Sequence, residues 1–381
     1  MKKIVVAIDS FKGSLTTFEA GKAIEEAAKE VYKDIEVRIS PIADGGEGTV
    51  EAVISATNGE LVKTVVCNPI GERIEAAYGF IPHTKTAIIE MSAAAGITLI
   101  SESERNPMNT TTFGVGEMIL DAISKGCRKF LVGIGGSATN DGGVGMLQAL
   151  GFEFLDENGK QVLPGAKGLK DIVEIRTENA VKELKECSFC VACDVKNILC
   201  GDNGCSAIYG PQKGATPEMI KSMDLWLENY AQLTKKVIPV SDANVPGTGA
   251  AGGLGFAFVS YLNSTLESGI ELVMKETALE SHIKDADIIV TGEGRLDGQS
   301  YMGKAPVGVA KLAKKYNKLV IAFSGCVTED AVVCNDYGID AFFPILRKPC
   351  TLEEAMNTDN AYRNLKDTAC QVFRLIRKFY K

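Results

Sequence analysis

The spacing of apolar positions changes repeatedly along this chain, and each change marks an element. Lys3 to Ile8 is nearly all apolar and predicts a buried strand that ends on Asp9-Ser-Phe-Lys-Gly-Ser14. Ala20, Ala23, Ile24 and Ala27 then recur at helical spacing, behind Thr16 or Thr17 as cap and Glu19 in the first turn. A second strand over 36–42 ends on Asp44-Gly-Gly-Glu-Gly-Thr49 and leads into a helix that Asn58-Gly59 stops. From Glu60 the rhythm alters. Segments 61–66, 74–80 and 86–91 read as strands separated by turns, which predicts antiparallel pairing and a new domain. A helix over 110–124 feeds a strand at 129–134, and the loop 133–146, GIGGSATNDGGVGM, follows it. The stretch 152–163 reads as a hairpin around Asn158-Gly159, followed by a strand at 188–194 and a long helix from Pro217 to Thr234.

Strand–helix alternation resumes near Asp285, with strands at 286–291, 319–323 and 341–345 and helices at 305–316 and 360–379. The simplest architecture is α/β with two domains. Residues 1–60 and 285–381 form a doubly wound domain, and 61–284 form a second α/β domain inserted into it.

At 381 residues the chain exceeds one typical core, in keeping with that division. A net charge of −8 argues against a nucleic-acid or membrane-surface partner. Apolar runs stop well short of the ~20 residues that span a bilayer. The N-terminal apolar stretch gives way to Asp9 too soon for a signal peptide, so the expected location is the cytoplasm. The 11 cysteines are odd in number and scattered, so reduced thiols are expected. Cys187-x-x-Cys190-x-x-Cys193, with Cys200 and Cys205 beyond, raises a metal site. On a strand that spacing puts successive thiols on opposite faces, which favours buried thiols.

Chemistry gathers in glycine-bearing turns at strand ends. Lys12 stands just before a helix start, where it could neutralise a carboxylate or phosphate. Asp44 and Glu47 are two carboxylates in a tight turn, a set that suits magnesium. In the loop after 129–134, backbone donors can close on an anion, and Asp141 is placed to hold a metal rather than the anion. The pattern Gly133-x-Gly135-x-x-Ala138, with Asp156 beyond, also fits a dinucleotide fingerprint, although Asp156 begins a hairpin turn instead of ending a parallel strand. The loop has no Walker pattern. Asp194 ends a strand, and with Lys213 nearby it could accept a proton from a substrate hydroxyl. Glu293, Arg295 and Asp297 form a third mixed-charge turn, with Lys304 beyond. His83 and His282 stand alone, outside any glycine-rich turn.

Taken together, DSFKGS (9–14), DGGEGT (44–49), GGSATNDGG (135–143), CDVKNILCG (193–201), GPQKGA (210–215), GAAGGLG (249–255), TGEGRLDGQS (291–300) and GKAPVGVA (303–310) resemble the type-1 glycerate kinase family. The resemblance covers essentially the whole chain. Its one visible departure, Ile198-Leu-Cys200 where the family often has Pro-Leu, touches loop shape only. The resemblance implies a Rossmann-like domain with an inserted α/β domain and an active site in the cleft between them. It implies ATP and magnesium as cofactors and phosphorylation of D-glycerate, with the 2-position favoured. On that reading Asp194 is the base, and Asp44, Asp141 and Asp297 are metal ligands. Lys12, Lys213, Arg295 and Lys304 hold the carboxylate and phosphates, while Gly135, Gly136, Ser137, Asn140, Gly252 and Gly253 cradle the nucleotide. A homodimer is compatible with it. The alternatives are a kinase for a related small hydroxy acid and a nucleotide-dependent oxidoreductase.

Overall fold

The computed structural model describes residues 2–379, which separate into two compact units. The first comprises residues 1–44, 51–57 and 270–381, and the second comprises 45–50 and 58–269. The chain therefore joins the first unit at Ile270, ahead of the point where strand–helix alternation becomes visible. The reason is packing: Ile270, Val273, Leu279 and Ile283 on the helices Gly269–Glu276 and Leu279–Lys284 are buried, and Ile270 lies against Gly308.

In the first unit five strands form one parallel sheet. Its spatial order is Ala341–Pro344, Leu319–Val327, Ile288–Leu296, Lys3–Val6, Glu36–Ile39. Ile4, Val5 and Val6 are fully buried, as a central parallel strand covered on both faces requires. The helices Thr17–Val31 and Thr358–Ile376 pack on each other over one face, burying Ala20, Ile24, Leu365 and Phe373. On the other side Ala305–Lys314 packs on Ile288–Leu296 and Leu319–Val327. The sheet is doubly wound, as the alternation indicated. Strand order reverses between Lys3–Val6 and Ile288–Leu296, and at such a switch point the loops leaving the strand ends part and open a crevice.

In the second unit a six-stranded sheet runs Thr265–Glu267, Ser188–Ala192, Lys129–Gly133, Thr86–Glu90, Arg73–Ile81, Glu60–Cys67. Arg73–Ile81 pairs antiparallel with both of its neighbours, as the turn-separated strands implied, and the other pairings are parallel. The Asp156–Gly159 turn forms, with a single bridge between Leu155 and Gln161. The ladder partner of Glu153–Leu155 is instead Glu174–Arg176, a distant pairing that local turn residues do not encode.

Thr16 caps the first helix: its hydroxyl accepts from the Glu19 amide, and Glu19 Oε2 accepts from the Thr16 amide at 2.8 Å. Replacing Thr16 by Ala should cost about 1 kcal/mol, read as a lower midpoint in urea unfolding.

Candidate functional site

Both strands at the switch point deliver a carboxylate to one pocket. Asp9 follows the first strand, its amide held by the Gly292 carbonyl at 2.9 Å, and Glu293 lies within Ile288–Leu296. The pocket they share has a volume of about 500 Å³ and lies wholly within the first unit. Asp44, Lys12, Arg295 and Lys304 complete its polar end.

Charge in this end is strongly coupled. Asp9 is only 5 % exposed, and burial together with the neighbouring Asp44 raises its pKa from the ordinary 3.8 to about 7. Burial likewise lifts Glu293 to about 7, against the opposing pull of Ser300, whose hydroxyl donates to its Oε1 at 2.6 Å, and of Lys304. Burial pulls Lys12 down, but the Asp44 and Asp9 carboxylates outweigh it and hold the ammonium above the usual lysine value. Lys12 Nζ lies 3.4 Å from Asp44 Oδ2. The hydroxyl oxygens of Ser10 and Ser14, also on the pocket wall, are buried without a hydrogen-bond partner among the described residues. A ligand oxygen or water would satisfy them.

Asp297 sits beside this end with its charge already balanced. Lys304 Nζ donates to its Oδ1 at 3.1 Å, and Arg295 Nε lies 3.5 Å from its Oδ2. Burial raises its pKa, but Lys304 and the Gln299 amide outweigh that and lower it. Its visible work is to fix Lys304 and Arg295.

In the second unit the loop after Lys129–Gly133 divides into a surface half and a buried half. Gly135 and Gly136 are exposed, and Ser137 beside them is buried. Asn140 and Asp141 are buried, the carboxylate among donors of the fold. Its Oδ2 accepts from the Thr112 amide and hydroxyl at 2.8 and 2.9 Å and from the Gly145 amide, while Oδ1 accepts from the Gly143 amide. Every one of those bonds stays within the fold. Asn140 donates to the Ser206 hydroxyl at 2.8 Å. Lys213 is fully buried with Nζ on the Thr139 carbonyl at 2.6 Å, where it clamps the loop, and burial lowers its pKa to about 8. Gly252 and Gly253 are buried as well. At φ +66° and +92° they leave room for the 139–142 backbone, where a Cβ on Gly252 would come within 2.1 Å of the Thr139 carbonyl oxygen. Their glycine identity serves loop-on-loop packing.

Asp194 is exposed, and its Oδ1 accepts from the Ser268 hydroxyl and the Gly269 amide at 3.0 and 3.1 Å. Those bonds fix the turn at which Gly269–Glu276 begins. Sequence reasoning quoted Asp9, Ser10, Ser14 and Glu293 within their motifs without giving them a role. The available signal was position: Asp9 and Glu293 lie at the carboxyl ends of two strands that the alternation makes parallel neighbours.

Sheet order and pocket together define an α/β protein with a charged ligand site at its switch point. The profile of the Glycerate kinase family matches residues 4–377. The chain is 46% identical to glycerate 2-kinase of Escherichia coli over 374 residues, 98% of this chain and 97% of that protein. It is 42% identical to glycerate kinase of Bacillus subtilis, over 97% of each chain. A crystal structure described as glycerate kinase 2 from Salmonella typhimurium matches 100% of this chain and 99% of its own, with a TM-score of 0.90 at 43% identity. The chain belongs to the glycerate kinase family. It is a phosphotransferase with an alcohol group as acceptor and ATP as phosphate donor.

Because folded Asp9 binds its proton more tightly than the unfolded chain does, stability falls as pH rises from about 4 to 7. Asp9→Asn should therefore be more stable than the parent at pH 8, by about 2–4 kcal/mol, with no difference near pH 4 in denaturant titrations. Asp141→Ala should lose about 3 kcal/mol or more, since several buried donors lose their acceptor.

Proposed function

We propose that this chain transfers the γ-phosphoryl group of ATP to the 2-hydroxyl of D-glycerate, with the chemistry at the polar end of the first unit's pocket. The observation that carries this placement is the pair Asp9 and Glu293, two carboxyls held near pKa 7 beside Lys12, Arg295 and Lys304. A proton acceptor poised near neutral pH is the form of carboxylate that general-base chemistry needs. The name glycerate 2-kinase of the Escherichia coli relative supports the 2-position.

The substrate hydroxyl oxygen forms a bond to the γ-phosphorus while the bond to the β,γ-bridging oxygen breaks. Asp9 takes the hydroxyl proton and ADP departs. Lys12, Arg295 and Lys304 lie where they offset charge on the phosphates and on the glycerate carboxylate. Ser10 and Ser14 offer hydroxyls to the same oxygens.

Magnesium takes oxygen ligands and keeps several waters, so one or two carboxylates with substrate phosphates suffice to hold it. The donor set fits: Asp44 raises the proton affinity of both Asp9 and Glu293, an excess of negative charge that a divalent cation would relieve. Among the described residues no group of three or more candidate ligands forms a closed cage. Asp44 would hold the ion, Asp297 being engaged by Lys304 and Arg295, and the ion would offset phosphate charge.

With Asp9 as base, kcat/KM should fall about tenfold per pH unit below pH 7. Asp9→Asn should lower kcat about 10²–10⁴-fold in a folded protein, with phosphorus NMR reporting 2-phosphoglycerate from the parent. Near-normal turnover of Asp9→Asn, together with loss of turnover in Asp194→Asn, would return the base role to Asp194.

A further inference from the structure

We infer that the apolar end of the same pocket binds the adenine of ATP, an assignment that rests on the phosphoryl-transfer reading of its polar end. The two ends of the cavity are chemically unlike. Besides the carboxylates and cations, the lining includes Phe11, Ile345, Leu346, Leu352, Ala355 and Met356. Glycerate, a three-carbon acid with a hydroxyl or carboxylate oxygen on every carbon, has no surface to place there. A cavity of about 500 Å³ is of the size that holds a larger organic ligand, with apolar walls for its body and a few polar groups to orient it. Of the two substrates, only ATP has both a flat, uncharged ring and a chain of anionic groups.

The apolar lining includes a segment tied to the same loop that carries Asp9 and Lys12. The short helix Leu352–Met356 is fixed by a Thr351–Glu354 capping box, and Thr358 Oγ1 donates to the Ser14 carbonyl at 3.0 Å. Gly13 has φ +77°, and a Cβ there would stand 2.9 Å from Met356 Cε, so the glycine both makes the turn and leaves space for the methionine. Leu352 is 78% exposed and Met356 37%, high for large apolar side chains beside a cavity. A ring lying against them would cover that surface. The buried glycines of the second unit do not compete for this role, because Gly252 and Gly253 are already filled by the 139–142 backbone.

Photolabelling of the intact enzyme with 8-azido-ATP, followed by peptide mapping, tests the assignment. Adducts are expected within residues 345–356 or on Phe11, and excess ATP should suppress them. In steady-state kinetics Leu352→Ala/Met356→Ala should raise KM for ATP about tenfold and hold KM for glycerate within twofold. Adducts confined to other segments, or an unchanged KM for ATP in the double variant, would overturn it. The two readings fail separately. If Asp9→Asn is inactive but label falls elsewhere, only the adenine assignment is wrong. If Asp9→Asn turns over normally, the placing of phosphoryl transfer at Asp9, on which this assignment rests, has gone.

Discussion

Parallel pairing between the two ends of the chain is the constraint on which the rest of the first unit depends. Ile4 stands against Ile288, and Val6 against Val290. Once that register is set, the chain leaving the first strand and the chain leaving the third emerge side by side. Asp9 and Glu293 then share one pocket although most of the sequence separates them. The pairing is buried on both faces, so a slip in register would move a whole row of apolar side chains. The same order that stabilises the sheet therefore fixes the spacing of the carboxylates.

Crowding carboxylates at a sheet edge works against stability, and the structure shows how the conflict is handled. Asp9 and Glu293 are held partly protonated near neutral pH by burial and by one another's neighbours, while Asp297 is neutralised by Lys304 and Arg295. Lys12 leans towards Asp44 but stays largely exposed, a loose pairing that a bound anion can redirect. Residual negative charge with unfilled serine hydroxyls makes a site prepared for cationic and oxygen-rich ligands together. Magnesium and nucleotide phosphates are such a combination.

The second unit treats charge in the opposite way. Asp141 and Lys213 are almost completely buried, yet most of their polar contacts go to loop backbone. They lock the residues after Ser137, while Gly135 and Gly136 reach the surface. In the sequence a buried structural aspartate and a metal ligand look alike, since both favour glycine-rich turns. What separates them is the number of hydrogen bonds each receives from the fold.

The sequence by itself determined the alternation of strands and helices, the capping of the first helix, the antiparallel insertion after Glu60 and, through the set of its turns, the family. Those properties are local or periodic, written in spacing and in residue type. Tertiary structure alone decided which of those turns share a pocket and which polar residues are spent inside the fold. Asp9 gained its raised pKa from burial and from neighbours brought in by strand pairing, and Asp141, Lys213, Gly252 and Gly253 are buried against distant segments of the second unit. Burial and long-range partners depend on how distant segments pack, so motif spacing shows that a residue is needed there, and only the packed chain shows for what.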